Sequence, residues 1–217
     1  MQELDDKILL FVNSFHNEYF DHVMWLVSNK WVWIPFYLAL IWLIWYRFGV
    51  KGLCLVLAAV GLTFAITDHV TIQVFRGIFC RMRPSNPDNP ISPLVHIVNE
   101  YRSGKFGFPS AHASNSAGLA VALALFLKER RQSVLLAAWV VLVCYSRMYL
   151  GVHYLGDLLA GALFGAVVAG AVYWAARQLP WKLTPMERSQ GIPSRLVANV
   201  PALVCCMTVL GICLFGL

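Results

Sequence analysis

Charge is scarce in this chain. Only 13% of its 217 residues are Asp, Glu, Lys or Arg, which is about half the share in an average globular chain. Hydrophobic residues make up 59%, and the mean hydropathy is +0.64. A folded chain of this length buries roughly two-thirds of its surface, so the excess apolar surface needs lipid to cover it. The composition therefore excludes a soluble or a disordered protein and predicts an integral membrane protein.

Several common site motifs are also missing. The six cysteines contain no C-x-x-C pair, and five of them lie inside apolar runs, so neither a disulfide framework nor a zinc site is predicted. The chain has no H-E-x-x-H motif, no pair of carboxylates spaced for a metal and no Walker loop. The sequence thus predicts neither a metal nor another cofactor.

Long apolar runs are what the chain does contain. A hydrocarbon layer of ~30 Å needs about 20 helical residues to cross it, and six segments reach or approach that length. They are residues 31–46, 52–75, 106–127, 132–146, 158–176 and 196–217. The predicted fold class is an all-α polytopic membrane protein with six transmembrane helices, folded as a single domain over residues 1–217.

The first 20 residues have a different composition. They mix acidic residues with an apolar run around Leu9 and Phe11, which is typical of an amphipathic helix at the membrane interface. They lack the basic start and the uninterrupted apolar core of a cleaved signal peptide. We predict an interfacial helix over residues 1–20.

The basic residues predict how the helices are oriented. Nine of the seventeen Lys and Arg residues lie in the joints after the first, third and fifth predicted spans, and the positive-inside rule assigns these joints to the cytoplasm. They are Arg47, Lys51, Lys128, Arg130, Arg131, Arg177, Lys182, Arg188 and Arg195. The other joints then face the periplasm across a bacterial inner membrane. One of them is the prolyl loop over residues 76–108, whose length is typical of a functional loop.

The net charge of +6 suits nucleic acid, anionic headgroups or a phosphate-bearing substrate. On the predicted outer side, Arg76, Arg81, Arg83, Arg102 and Lys105 crowd one segment and Arg147 begins another. The topology brings three polar clusters to this membrane face. These clusters are Arg76-x6-Arg83-Pro84, Pro109-Ser110-Ala111-His112 and Ser146-Arg147-x5-His153-x3-Asp157. A lipid phosphate is therefore the predicted partner, and nucleic acid is not.

Each residue type has a chemical use there. Three arginines (Arg76, Arg83 and Arg147) would repel one another unless an anion such as phosphate binds among their guanidinium groups. Ser110 lies just before a predicted helix, so its hydroxyl and the freed N–H groups of the first turn are further candidate phosphate ligands.

Two histidines and a carboxylate are the candidate catalytic residues, all within 109–157. His153 and Asp157 are four residues apart and share a helical face, so the carboxylate can fix the imidazole tautomer and leave the other nitrogen as a nucleophile. His112, from another helix, can protonate a leaving alkoxide and then activate water.

The three clusters together resemble the signature of the type 2 phosphatidic acid phosphatase superfamily, which is K-x6-R-P, P-S-G-H and S-R-x5-H-x3-D. The resemblance covers residues 76–157 and the six-helix layout. Arg76 replaces the lysine and Ala111 replaces the glycine, and both changes keep the relevant charge or backbone N–H. The resemblance implies that His153 is the nucleophile, Asp157 its orienting partner and His112 the general acid. The phosphoryl ligands that it implies are Arg76, Arg83, Ser110 and Arg147.

The implied activity is metal-independent hydrolysis of a phosphate monoester or diphosphate on a membrane lipid, through a phosphohistidine. Substrates of the family include undecaprenyl diphosphate, phosphatidylglycerol phosphate, phosphatidic acid and lipid A. A lipid phosphotransferase is the alternative. A transporter or a scaffold is disfavoured because transporters place ligand groups near the bilayer midplane. A haloperoxidase is disfavoured because the related haloperoxidases, which share the anion pocket, are soluble.

The remaining polar residues and glycines are expected to be structural. We expect packed or interfacial histidines at 16, 22 and 96, and solvated or headgroup-facing side chains at Arg81, Arg102 and Lys105, with substrate contact an alternative for Lys105. Asp68 and His69 are expected to make internal polar pairs, with a role in the site as the alternative. Gly161 and Gly165 favour close helix packing over a dimer face, so both a monomer and a homodimer stay open.

Overall fold

The chain is almost entirely helical in the computed structural model, which describes residues 2–179 and 194–215. The helices are α1 (Gln2–Asn13), α2 (Glu18–Ser28), α3 (Ile34–His69), α4 (Arg76–Phe79), α5 (Ala111–Leu127), α6 (Arg130–Tyr149), α7 (Leu155–Arg177) and α8 (Ser194–Phe215). A π-helix over Val70–Phe75 joins α3 to α4. The all-α class is therefore confirmed.

Four helical stretches are long and apolar enough to cross a membrane. They are Lys30–Phe79, Arg130–Tyr149, Leu155–Arg177 and Val197–Phe215, and α5 is a shorter apolar helix of 17 residues. The described residues do not include Lys182, Arg188 or the last two residues of the predicted span 196–217.

The longest stretch combines the first two predicted spans. It is interrupted at Gly49, where φ is 65° and ψ is −169°, a backbone conformation that glycine adopts at little cost. Leu40 and Ile44 before this break line the same cavity as Val56 and Val60 after it. The two segments of α3 therefore lie side by side.

Close packing of α5 against α7 forms the centre of the fold. A Cβ atom built on Gly165 would lie 2.0 Å from the carbonyl oxygen of Ser114, and one on Gly161 would lie 2.4 Å from that of Ser110. Only glycine permits such an approach between two backbones. The packing role predicted for these glycines is confirmed, and α5 occupies the face that a dimer would have used.

The N-terminal region differs from the prediction, because residues 2–28 form two helices and not one helix over 1–20. The segment between these two helices ends at Asn17. Its side-chain oxygen caps α2 by accepting a hydrogen bond from the Phe20 N–H at 2.8 Å. Leu9 and Asn13 of α1 are fully buried, while Leu4 and Phe11 on its other face are exposed. Helix α1 packs against α6 and α7, near the ends of these helices that carry Arg147 and Asp157.

The third predicted span starts later than expected. Helix α5 begins at Ala111, because the Ser110 side chain caps it by accepting a hydrogen bond from the Ala113 N–H at 3.4 Å. Residues 106–110 are free to run along the loop that follows α4. This short extended stretch determines the position of the candidate site.

Candidate active site

A short antiparallel contact holds the loop between α4 and α5. The Arg83 N–H donates to the Lys105 carbonyl at 3.0 Å, and the Gly107 N–H donates to the Arg81 carbonyl at 2.9 Å. The Asn89 side chain donates to the Arg83 carbonyl and to the Tyr154 hydroxyl, both at 3.0 Å. These bonds fix Arg83 beside the start of α7.

His153 and Asp157 form a buried pair at that point. Nδ1 of His153 lies 3.3 Å from Oδ2 of Asp157, and the same oxygen accepts a hydrogen bond from the Tyr154 N–H at 3.1 Å. The exposed fractions of His153 and Asp157 are 1% and 0%. Since a carboxylate only accepts, Nδ1 is the ring nitrogen that carries the proton.

The other ring nitrogen of His153 faces an arginine. Nε2 lies 2.7 Å from Nη1 of Arg83, which also donates to the Val152 carbonyl at 2.9 Å. A guanidinium is always a donor, so Nε2 accepts and holds a lone pair. Burial lowers the pKa of His153 well below its ordinary value, and the charges of Arg83, Arg147 and His112 lower it further. Both effects favour the neutral form of the imidazole.

The three predicted phosphate-binding arginines share an unusual feature. The Nε–H groups of Arg76, Arg83 and Arg147 are each buried without a hydrogen-bond partner in the described part of the chain. Burial lowers the pKa of Arg83 to about 10, and the charges of Arg76 and Arg147 contribute to the shift. Leaving buried donors unpaired is costly, so this cluster has the properties of an anion site.

Two residues that the sequence analysis missed hold Arg147 in place. Nη1 of Arg147 donates to the hydroxyl of Ser28 at the end of α2, and its guanidinium lies 5.8 Å from the ring centre of Tyr101. Neither residue belongs to a recognisable motif. Their contribution depends on how α2 and the loop after α4 pack, which the linear sequence does not display.

Ser110 and His112 occupy the start of α5. Ser110 is fully buried, and its N–H donates to the Asp157 carbonyl oxygen at 3.0 Å. His112 lines a cavity of about 690 Å³ together with Arg76, Arg83 and Arg147. All seven predicted site residues therefore lie at one end of the molecule, where α4, α5, α6 and α7 meet.

The same cavity continues from this charged end into an apolar trough between both segments of α3, α5 and α6. Its apolar walls include Tyr37, Leu40, Ile44, Val56, Val60, Phe64, Leu119, Leu123, Trp139 and Val143. A cavity that is cationic at one end and apolar along its length suits a lipid whose phosphate lies among the arginines.

The expectation that Arg81 is solvated is wrong. Its Nη1 donates to Oδ1 of Asp157 at 2.8 Å, and its Nη2 donates to Oδ2 of Asp5 at 2.6 Å. Its guanidinium also lies 4.3 Å from the ring centre of Tyr154. Arg81 therefore links α1 to the carboxylate that faces His153.

Arg102 is exposed, as expected, and it donates to the Ser85 carbonyl at 2.7 Å and to the Ser92 hydroxyl at 3.1 Å. These bonds hold the loop together from within. Lys105 is exposed and pairs with Asp88 at 2.9 Å, which confirms its solvated position.

Of the four remaining histidines, His96 is half-buried, and His16 beside it is exposed. His96 pairs with Asp21 at 2.8 Å and stacks on His16 with ring centres 3.9 Å apart. His22 and His69 are exposed. Asp68 has an internal polar partner, but the partner is Asn115, at 2.8 Å.

Gly107 is a site residue that the sequence analysis missed. A Cβ atom there would lie 3.0 Å from Cγ of Arg83 and 3.1 Å from Oδ2 of Asp157, so a side chain would press on both.

Across residues 2–179 and 194–215, no group of three or more His, Cys, Asp or Glu side chains is placed to hold a metal ion.

Comparisons with known proteins agree with this architecture. Residues 49–181 match the model of the PAP2 superfamily. The chain is 38% identical to a lipid A 4'-phosphatase of Bacteroides thetaiotaomicron, over 84% of this chain and 81% of the relative. It is 31% identical to a lipid A 4'-phosphatase of Porphyromonas gingivalis, over 79% and 72% of the two chains. The fold is similar to the crystal structure of a PAP2-type phosphatidylglycerolphosphate phosphatase from Bacillus subtilis, with a TM-score of 0.60, 24% identity, and 82% and 87% of the two chains covered.

The helical fold, the apolar spans and these relatives define a membrane lipid phosphatase. The matched segment contains all three motif clusters and extends over more than half of the chain. The chain belongs to the PAP2 superfamily.

Proposed function

We propose that this protein removes a phosphate from a membrane glycolipid of the lipid A type and that His153 becomes transiently phosphorylated. The observation that carries the proposal is the set of three buried, unpartnered arginine Nε–H groups beside the His153–Asp157 pair. The lipid class is favoured because the chain matches two lipid A 4'-phosphatases over most of their length. Undecaprenyl diphosphate, phosphatidylglycerol phosphate and phosphatidic acid are the competing substrates.

The first step would transfer the phosphoryl group to the protein. The lone pair on Nε2 of His153 attacks phosphorus, the bond from phosphorus to the lipid oxygen breaks, and His112 donates a proton to the departing alkoxide. Arg83 has to leave Nε2, which it contacts at 2.7 Å, and bind a phosphoryl oxygen. Asp157 stabilises the positive charge that develops on the imidazole.

The second step would release inorganic phosphate. His112, now neutral, accepts a proton from a water molecule, whose oxygen attacks phosphorus while the bond to Nε2 of His153 breaks. The histidine returns to its starting state, and the net reaction consumes one water molecule. The alkoxide and the water use the same side of the phosphorus atom, so one general acid–base residue serves both steps.

The guanidinium groups of Arg76, Arg83 and Arg147 and the hydroxyl of Ser110 would bind the phosphoryl oxygens. Charge-assisted hydrogen bonds are each worth ~1.5–3 kcal/mol. Those that shorten as charge builds up on the equatorial oxygens lower the barrier instead of only tightening binding.

The proposed arrangement in the membrane is a single domain over residues 1–217 with six spans, formed by the two segments of α3 and by α5, α6, α7 and α8. Both termini and the active site then lie on the periplasmic side of a bacterial inner membrane, with loop 76–108 outside the membrane and the catalytic segment over 109–157. Arg47, Lys128 and Arg130 mark the opposite, cytoplasmic side. Helix α1 would lie at the interface, since Leu4, Phe11 and Phe15 are exposed beside its charged face.

The decisive test is phosphate release by the detergent-purified protein from a panel containing lipid A, phosphatidic acid, phosphatidylglycerol phosphate and undecaprenyl diphosphate. We expect lipid A to be the best substrate, without added metal, and no turnover by His153→Ala or His112→Ala. With phosphate-labelled lipid, wild type should carry acid-labile label on histidine, and His153→Ala should not. Full activity of His153→Ala would refute the assignment of the nucleophile.

The same experiment separates hydrolysis from transfer. A phosphotransferase would move the label to an added acceptor lipid and release little inorganic phosphate, whereas a phosphatase releases the label into water.

A further inference from the structure

A polar group interrupts the apolar wall of the cavity. Asp68 in the second segment of α3 and Asn115 in α5 both line it. The Asn115 side-chain N–H donates to Oδ1 of Asp68 at 2.8 Å, and the Thr67 hydroxyl donates to the Asn115 side-chain oxygen at 2.6 Å. Asp68 is the only acidic residue among the residues that line this cavity.

The carboxylate of Asp68 is exposed and has no close ion-pair partner in the described part of the protein. Among the described residues, no Lys, Arg or His nitrogen lies within 4.0 Å of it, and the bond from Asn115 leaves most of its acceptor capacity unused. A carboxylate within a membrane-spanning helix is costly and is typical of a functional site. Its exposed face points to a ligand that supplies hydrogen-bond donors.

The pair lies beside the position of the phosphate. Asn115 follows His112 by three residues, so it is its neighbour on the same face of α5, about 4.5 Å further along the axis. Asp68 precedes Arg76 by eight residues, about two helical turns, and Ile72 between them also lines the cavity. The pair is thus adjacent to the general acid, between the arginine cluster and the apolar trough.

That position is where the group esterified to the phosphate would lie. A saccharide there presents hydroxyl and amide N–H donors, which a carboxylate and an amide oxygen accept. The isoprenoid chain of undecaprenyl diphosphate and the diacylglycerol of phosphatidic acid have no such donor next to the phosphate. With those lipids bound, the carboxylate of Asp68 would receive no hydrogen bond from the group next to the phosphate.

We propose that Asp68 and Asn115 form a headgroup subsite that accepts hydrogen bonds from the hydroxyl or amide N–H groups of a phosphorylated saccharide. The inference rests on the proposed function and deepens it, because it assigns the choice among lipid phosphates to two residues outside the three motif clusters.

The test compares kcat/KM on two substrates, lipid A and phosphatidic acid, for wild type and Asp68→Asn. Asn has nearly the same shape as Asp but loses the charge and part of the acceptor capacity. We expect about a tenfold loss on lipid A, as for a hydrogen bond to a charged group, and less than a twofold change on phosphatidic acid. Asn115→Ala should shift the same ratio in the same direction.

Two controls keep the result interpretable. Asp88→Asn makes the same chemical change in the exposed loop, where Asp88 pairs with Lys105, and should leave both substrates unaffected. Competitive inhibition by inorganic phosphate should be unchanged in Asp68→Asn, which verifies that the arginine cluster is still folded.

An equal loss on both lipids would overturn the subsite and make Asp68 a general electrostatic partner of the arginines. No loss on either lipid would overturn it as well. A wild-type protein that releases phosphate from none of the lipids would refute the proposed function itself, which is a different result from an active enzyme whose specificity does not change.

Discussion

The polar groups on the two sides of the proposed active site find hydrogen-bond partners by different means. On the side of the proposed nucleophile, Asp157 accepts hydrogen bonds from the Tyr154 N–H and from Arg81 and faces Nδ1 of His153, so its carboxylate is occupied by the protein alone. On the anion side, the Nε–H groups of the arginine cluster have no partner within the described residues.

This contrast separates what the fold supplies from what the substrate supplies. The side of the proposed nucleophile is fixed before any ligand arrives, which would spare the cost of orienting the imidazole during the proposed reaction. The anion side holds buried donors that a phosphoryl oxygen can satisfy, so it gains most when phosphate binds and its charge rises in the transition state. Substitutions on the two sides should therefore differ in size and in the kinetic constant they change.

The largest effect is expected for His153→Gln, which removes the proposed nucleophile while keeping a polar side chain of similar length. Turnover of lipid A should fall by about 10⁴-fold or more, as for other catalytic nucleophiles. Phosphate release at saturating lipid is the measurement. His96→Gln, which changes a histidine paired with Asp21 outside the site, should retain activity. A His153→Gln protein within tenfold of wild type would contradict the assigned role.

The next largest effect is expected for Arg147→Lys, which keeps the positive charge but removes the planar guanidinium and its paired N–H donors. We expect kcat to fall about 100-fold, as when a donor to transition-state charge is lost, because Lys cannot reproduce the bond to Ser28 and the free Nε–H together. Arg177→Lys at the far end of α7 is the matched control. A change confined to KM would show that Arg147 binds substrate and transition state equally.

A smaller loss is expected for Arg81→Gln, since Asp157 keeps its contacts with His153 and Tyr154. We expect kcat to fall about tenfold with KM nearly unchanged, because Arg81 orients the carboxylate and does not reach the cavity. Asp5→Asn should reduce kcat less, and the two changes should not be additive, since both weaken the same contact. Additive losses in the double variant would argue against this chain of contacts.

The smallest effect is expected for Ser28→Ala, which removes one hydrogen bond to Arg147 while the guanidinium stays buried beside Tyr101. Ser28 lines the cavity, so a water molecule can replace its hydroxyl as the acceptor. The net cost should then be about 1 kcal/mol, and kcat/KM should fall about fivefold. Ser14→Ala, which removes an exposed hydroxyl after α1, should have no effect. A loss as large as that of Arg147→Lys would mean that Ser28 itself contacts the substrate.

Local chemistry explains which parts could be predicted. Apolar runs identified the membrane helices, and the spacing of His153 and Asp157 predicted a shared face because a helical turn fixes it. Gly161 and Gly165 were predicted to pack closely for the same kind of reason. Their positions depend on regular geometry that the sequence displays directly.

The missed contacts all connect segments that are distant in the chain. Arg81 appeared to be one more basic loop residue, because its partners Asp5 and Asp157 are each 76 residues away. The end of α1 at Asn13 was missed because the cap at Asn17 competes with a continuous helix, and apolar content alone does not reveal this. The sequence around Gly107 did not indicate its close contacts, because they are made with residues that are distant in the chain.

The contact between α1 and Arg81 has a practical consequence. Gln2 and Asp5 both accept hydrogen bonds from Arg81, so the first turn of α1 is only one side chain away from the carboxylate of Asp157. A bulky label attached to the first turn of α1 would therefore lie against the proposed active site.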